Sequence, residues 1–502
     1  MNMQSTIASA CICAGLLAFQ SLPASAAWQL KTVNNRQQLT DGNYTLTVTA
    51  SGQNLTITAS SATTWGDLDL TGVKNDTDGY RVTAIGSTAF KSKTALKSIT
   101  APDVVSIANG LNANAAFYSC SGLTNAALPA LATIGNYAFQ SCSGLSRTKF
   151  PAVTTIGNYA FAGCKSLTNM EVSADITYIG AFAFARTSTG ESAVIRTFRP
   201  TTLPRLEIIG QQAFFGKNGS ALEGDFYCPA LTNLGSQAII NSKITSFRAP
   251  ALTNLLASTF QNCRSLTNVD ITAVISIGDR AFNHCEALTN VVLCADIATI
   301  GNYAFADETN WKRCWLKGLQ PSTFPKLVSI GYNAFQGNQG CDLEGEFTFP
   351  ALTSLGSSAF PKSKITAFRA PRLESVGKET FANCTVLSNV VIRGGGTLGD
   401  QCMNGLKSGA TVRFTGAAPA SIGSTALNTV SGAAEYIVVL VERSRHLAGW
   451  EGKYAPLTDT DRNRTDFPGE KRTLGRVRNS NGTANAWLVN DDHATQTIFI
   501  VQ

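Results

Sequence analysis

Ile134-Gly-Asn-Tyr-Ala-Phe139-Gln-Ser-Cys142-Ser-Gly-Leu145 decides the architecture of this chain, because the phrase keeps returning. Ile-Gly-x-x-Ala-Phe starts again at Ile156, Ile179, Ile209, Ile277, Ile300 and Ile330, with looser copies from Ile85, Leu234, Leu255, Leu355, Val376, Leu398 and Ile422. Most starts lie about 21 to 25 residues apart, a period that marks stacked supersecondary units. Repetition on this scale removes the inference that a chain of 502 residues holds several ordinary domains. One period is one coil of a solenoid.

After the Phe comes a short polar turn, often ending in Cys, and then a Leu-x-x-apolar-x-apolar stretch, as in Leu123 to Leu128, Leu266 to Ile271 and Leu288 to Leu293. Two apolar positions separated by one residue share a face of a strand, and the residue between them points the other way. Each coil is therefore expected to carry one short, half-buried strand. The Gly after the Ile is expected to supply a backbone conformation closed to other residues. Ala and Phe fill the interior. Burying one Phe fully contributes roughly 1.5 to 3 kcal/mol, and only neighbouring coils provide the cover.

With its Cys and following Leu, Ile-Gly-x-x-Ala-Phe-x-x-Cys-x-x-Leu-x-x-apolar-x-apolar-Pro resembles the BspA-like leucine-rich repeat of bacterial and some protist surface proteins. The resemblance covers about residues 81–430 and implies a leucine-rich repeat solenoid, a right-handed α/β-type superhelix. Members of that family are commonly surface or secreted proteins implicated in adhesion, so the resemblance implies an extracellular protein or glycan as partner. It implies no catalytic residue and no cofactor.

A longer repeat overlies the short one. Starts from Ile134 to Ile277 recur from Leu255 to Leu398 with a constant offset (255 − 134 = 398 − 277 = 121). Leu222-Glu-Gly-Asp-Phe226 returns as Leu343-Glu-Gly-Glu-Phe347, and Thr245-Ser-Phe-Arg-Ala-Pro250 as Thr366-Ala-Phe-Arg-Ala-Pro371. A block of five coils has been duplicated. Equivalent surfaces are expected twice, suiting a repetitive or bivalent partner. Neutral growth of a stable stack explains the duplication equally well.

The flanks do not repeat. Residues 7–19 are apolar and Ala24-Ser25-Ala26 precede Ala27, which gives a secretory signal over residues 1–26. Its apolar run is too short to span a bilayer, although no Lys or Arg precedes it. A buried N-terminal helix is the competing reading, and Pro23 argues against it. Residues 27–80 alternate, as in Tyr44-Thr-Leu-Thr-Val48, and form a β cap; residues 431–502 form a β-rich C-terminal cap or module. No later segment is long and apolar enough to cross a membrane, the best being a buried strand over residues 436–441. The exported chain is expected outside the cytoplasm: extracellular, at the cell surface or periplasmic.

A net charge of +7 is mild for this length, with both signs interspersed, and gives no electrostatic footprint for nucleic acid. Of 13 cysteines, Cys11 and Cys13 fall in the export signal and eleven remain. Cys120, Cys142, Cys164, Cys263, Cys285 and Cys384 share one repeat position and are expected to stack as buried thiols, with disulfides between neighbouring coils as the export-compartment alternative. Cys228, Cys294, Cys314, Cys341 and Cys402 lie off that ladder.

Candidate contacts sit on the exposed side of the strands, at Ala127, Lys149, Glu171, Tyr227, Arg248, Asp270, Val292, Thr348, Arg369 and Val391, with Ala367 among the positions two residues upstream. Lys149, Tyr227, Arg248 and Arg369 stand out by side-chain type. Any solvated sheet shows polar residues, so no single position is decisive. The long coils, residues 186–204 and 307–325, offer a rival site in which Trp311 and Trp315 flank basic residues able to grip a sugar face or an anionic chain. These tryptophans are equally suited to covering a wide coil.

Enzymatic chemistry finds little support. The three histidines, His284, His446 and His493, have no metal spacing, and no nucleophile elbow or phosphate loop is present. Gly394-Gly-Gly396 is a variation of the repeat. Cys285 beside His284 is placed by the repeat in the buried ladder, and some 70 C-terminal residues are a scant core for a hydrolase. The sequence favours a non-catalytic binding or adhesion protein, ahead of a structural envelope component and, far behind, an enzyme.

Overall fold

The computed structural model describes residues 27–185, 195, 197–199, 201–216, 222–307, 314–320, 322–428, 437–441, 449–456, 473–477, 480 and 486–490. The expected export signal, Trp311, His446 and His493 lie outside the described residues.

About 15 turns of chain stack along one axis. The solenoid is as expected, but the internal design of a coil differs. Each regular coil contributes two parallel strands rather than one. The first is the expected Leu-led strand, such as Asn169–Val172; the second is a two-residue strand ending at the motif Ile, such as Tyr178–Ile179. The second strands line up in sheets of their own, Thr133 and Ile134 pairing in register with Thr155 and Ile156, and these with Tyr178 and Ile179. Two residues are too few to show a periodicity.

The expected α/β character is also corrected, because the Ala-Phe segment forms tight turns. The α-helix Val73–Asp76 is the single α-helix among the described residues. Two left-handed residues four apart explain this: Tyr137 has φ 60° and Ser141 φ 61°, and Asn262 with Ser258, and His284 with Arg280, repeat the arrangement. L-residues cannot continue a right-handed helix through such positions.

The motif Gly has a different purpose from the one expected. Gly135, Gly157, Gly180, Gly331 and Gly399 are absent from the positive-φ positions, which fall instead on residues two places later, such as Tyr137, Tyr159 and Gln401. What these glycines provide is room. A Cβ on Gly157 would lie 2.6 Å from the backbone nitrogen of Asn136, and one on Gly399 would lie 2.6 Å from that of Lys378, in the preceding coil.

Three kinds of side chain then tie coil to coil. Phenylalanines stack as a spine, with Phe139 to Phe161 at 5.3 Å and Phe161 to Phe184 at 5.4 Å between ring centroids; Ile239 takes the place of Phe in one coil between Phe214 and Phe260, and it too is buried. Asn136 Oδ1 accepts the Asn158 N–H at 2.7 Å, and Asn158 Oδ1 accepts the Ala181 N–H at 2.8 Å. The ladder thiols donate to the carbonyl at the Phe position of the coil before: Cys142 to Phe117 at 3.0 Å, Cys164 to Phe139 at 3.1 Å, Cys285 to Phe260 at 3.1 Å. Expected as filler, these cysteines also give a second donor to buried carbonyls that already accept a backbone N–H within their own coil, as Phe139 accepts from Cys142 at 3.1 Å.

Burial pushes the Cys263 and Cys384 thiols up to about 11, and only the thiolate is a nucleophile. At pH 8 the native chain is therefore expected to take up iodoacetamide at half-exposed Cys294 while Cys142, Cys263 and Cys384 stay unmodified until denaturant is added. Peptide mass spectrometry over a time course checks this. Prompt labelling of the three ladder thiols would contradict the packing.

At the N-terminal side, Gln29–Val33, Arg36–Thr40, Tyr44–Ser51 and Asn54–Ala62 form an antiparallel meander, and its last strand pairs in parallel with Arg81–Ile85, so the meander is continuous with the second-strand sheet. At the other side, Ile437–Val441 and Ala486–Asn490 add parallel strands to the first-strand sheet, followed by antiparallel Thr473–Val477 and Tyr454–Pro456.

Candidate interaction surface

The first strands form three successive runs rather than one unbroken sheet. Asp67–Asp69 to Thr197–Arg199 make the first, Glu223–Tyr227 to Gly318–Gln320 the second, and Glu344–Thr348 onward the third. Breaks fall at the two long coils, where single bridges, Thr202 to Tyr227 and Thr323 to Thr348, replace the ladder. Each new run opens on a bulge: register slips at Gly224 and again at Gly345, with φ 98° and 104°. Only glycine is comfortable there. The duplicated Leu-Glu-Gly-acid-Phe segment is the sequence of this bulge.

Exposed side chains on the first strands are brought into rows by parallel, in-register pairing. Lys149 lies beside Glu171, and Glu171 beside Arg199. Across the break, Tyr227 lies beside Arg248 and Arg248 beside Asp270. The Arg248 guanidinium sits 5.0 Å from the centre of the Tyr227 ring, and its Nε donates to Asp270 Oδ2 at 3.2 Å. A cation over an aromatic face, held also by a carboxylate, is a pre-oriented group.

Between these rows, the first break opens a hollow of about 650 Å³ lined by Arg199, Thr201, Asp225, Lys243 and Thr245 among others. A second hollow of about 400 Å³, lined by Glu171, Val172, Arg199 and Thr201, adjoins it. Asp225 Oδ1 accepts from the hydroxyls of Thr245 and Ser246, and these donors hold its carboxyl below the usual carboxylate range. Arg199 borders both hollows. Sequence reasoning passed over it as part of an insertion, although Phe198-Arg199-Pro200 parallels Phe247-Arg248-Ala-Pro250 and Phe368-Arg369-Ala-Pro371.

The other residues singled out in the sequence do not converge on this place. Arg369 is half-buried in the third run, where Thr348 and Val391 occupy the positions of Tyr227 and Asp270 in the second. The duplicated coils thus repeat the bulge but not the Tyr-Arg-Asp row. Trp315 is exposed, between buried Cys314 and Leu316. Val391 and Ala367, expected to face solvent, are buried; Val391 lies between Arg369 and Arg413, and long arginine stems readily cover a short apolar neighbour.

No group of three or more His, Cys, Asp or Glu placed to hold a metal occurs among the described residues, and among them no helix is long and apolar enough to cross a membrane. His284 Nδ1 lies 2.8 Å from Asp307 Oδ1, while the neighbouring Cys285 thiol donates to Phe260 and burial pushes it well up. That thiol is a structural group.

A stack of two-stranded coils whose exposed strand face runs in parallel, in-register ladders from coil to coil defines a leucine-rich repeat solenoid. The chain belongs to the BspA type leucine rich repeat family, whose six-copy model matches residues 83–198, 197–312 and 315–429. Among solved structures it is similar to a leucine rich cell surface protein from Faecalibacterium prausnitzii A2-165, at 19% identity over 74% of this chain and 90% of that one, with a TM-score of 0.36. It is also similar to a leucine-rich repeat protein from Bacteroides ovatus, at 17% identity over 74% and 93% with a TM-score of 0.35, and to the pneumococcal vaccine antigen PcpA, at 14% identity over 84% and 96% with a TM-score of 0.34. None of the curated proteins compared matches the chain.

Proposed function

We propose that this protein is exported and binds an extracellular protein or glycan through the strand face, without catalysis. The observation that supports the reading best is the pair of charged rows, Lys149–Glu171–Arg199 and Tyr227–Arg248–Asp270, flanking the hollows at Arg199. Solenoids use such extended surfaces for wide contacts, and Tyr and Arg are the side chains that most often dominate binding energy. Mixed charge suits a polar partner. Repeats of this family generally bind proteins, and the fold is typically non-catalytic.

The test is binding of the purified chain to an array of extracellular-matrix proteins, mucins and glycans, beside a variant with Arg199, Tyr227 and Arg248 changed to Ala. Loss of a central anchor typically costs 2 kcal/mol or more, so the triple variant is expected to bind at least about 30-fold more weakly. Saturable binding unchanged in the variant would move the site elsewhere, first to Arg369 or to Trp311 and Trp315. No saturable binding to any partner would favour a structural role in the envelope.

A further inference from the structure

Cys314 and Cys341 are unlike the ladder cysteines. They form a parallel β-bridge to each other: the Cys314 N–H donates to the Gly340 carbonyl at 3.0 Å, and the Asp342 N–H donates to the Cys314 carbonyl at 3.0 Å. Bridged residues on adjacent parallel strands send their side chains to the same face, and the strands lie about 4.7 to 4.9 Å apart. A disulfide needs Cα atoms about 4.4 to 6.8 Å apart. Both residues are buried. Whereas the ladder thiols point back to a carbonyl of the preceding coil, the Cys341 sulfur meets the Cys314 thiol and the Leu343 N–H.

The duplication supplies an independent observation. The positions 121 residues earlier hold Ala193 and Ser220, in a stretch whose landmarks otherwise match: Ile195 for Leu316, Phe198 for Leu319, and Leu222-Glu-Gly for Leu343-Glu-Gly. Two copies of one block therefore differ at both positions together. A pair that occurs whole or not at all is what a covalent link between them requires, although single cysteines also differ between the copies, Cys294 standing for Ser173 and Phe349 for Cys228.

We infer that Cys314 and Cys341 are joined by a disulfide bond, tying the stretch that carries Trp311 and Trp315 to the following coil. The oxidant is a disulfide of the exported compartment. A thiolate of one cysteine attacks one sulfur of that disulfide, forming a mixed disulfide and releasing one thiolate. The thiolate of the other cysteine then attacks the protein sulfur, forming the Cys314–Cys341 bond and releasing the second thiolate. Two protein thiols are oxidised, one disulfide is reduced to two thiols, and the two protons pass to the released thiolates. Burial places this exchange during folding, before the coil closes. The inference rests on the export reading only for where the oxidant is met.

The test needs no export. The full chain, reduced and denatured, is refolded with oxidised glutathione, quenched with acid, alkylated in denaturant and digested. Cys314 and Cys341 peptides are expected as one linked species, while the ladder cysteines are recovered alkylated. The variant Cys314→Ala with Cys341→Ser, which restores the residues of the first block, is expected to fold and to lose that species alone. Reductant should then speed protease cleavage beside residue 314 in the parent and not in the variant. Recovery of both cysteines alkylated after oxidative refolding, or a link from either to another cysteine, would overturn the inference.

Discussion

Phe161→Ala should cost about 3 to 5 kcal/mol, the range for emptying a large aromatic site in a packed core. Phe161 is fully buried, stacked between Phe139 and Phe184 and tilted against Phe150 at 6.2 Å. Neighbouring rings are held by their own coils, so the cavity has little means of collapsing. Because each coil contacts only its neighbours, the damage should be local. Native-state hydrogen exchange is the appropriate measurement: protection should fall in the coils around residues 139–184 and remain unchanged around residues 282–335. Uniform loss of protection along the whole chain would show that the stack unfolds as one cooperative unit.

A single methyl group should do comparable damage at the close approach between coils. In Gly399→Ala the new Cβ would lie 2.6 Å from the Lys378 nitrogen and 2.8 Å from the Gly377 carbonyl carbon. Backbone cannot turn aside as a flexible side chain can, so the two coils must part. Overpacking typically costs about 1 to 3 kcal/mol, and here the upper end is expected because the obstacle is main chain. Two residues along, the opposite holds. Exposed Gln401 has φ 56°, a conformation costing a non-glycine residue about 1 to 2 kcal/mol. Gln401→Gly relieves that cost and adds about 0.5 to 1 kcal/mol of chain entropy, so it should leave the thermal midpoint unchanged or slightly raised. Equal effects of the two substitutions would refute this division of labour between spacing and conformation.

These two positions show what was legible in the sequence. The recurring Ile, Ala, Phe and Leu gave the solenoid, its period and its interior, because burial acts on side-chain type, which a sequence displays. The second strand was hidden: Thr133–Ile134 pairs only with neighbouring coils, so its partners are not local. The glycine was noticed for the wrong reason. Its constancy follows from the distance to another coil, whereas left-handed φ is borne by Tyr, Gln, Ser and Arg, side chains that conceal it. Arg199 was hidden by the irregular spacing of its coil, and the Tyr227–Arg248–Asp270 row emerged only when strand register placed three coils side by side.

Several side-chain rungs between coils share one direction, although Asn283 to Ala306 and Cys402 to Ala426 run the other way. Asn158 gives its N–H to Asn136, Cys164 its thiol to Phe139, and Thr177 its hydroxyl to Thr154 at 3.2 Å, so in each the later coil donates and the earlier accepts. A stack built from such rungs is polar, like a filament with unlike ends. Two such stacks meeting head to tail would reproduce the rung and invite open-ended growth. The antiparallel meander before the first coil, which runs its strands both ways, does not offer that repeating rung to a second molecule.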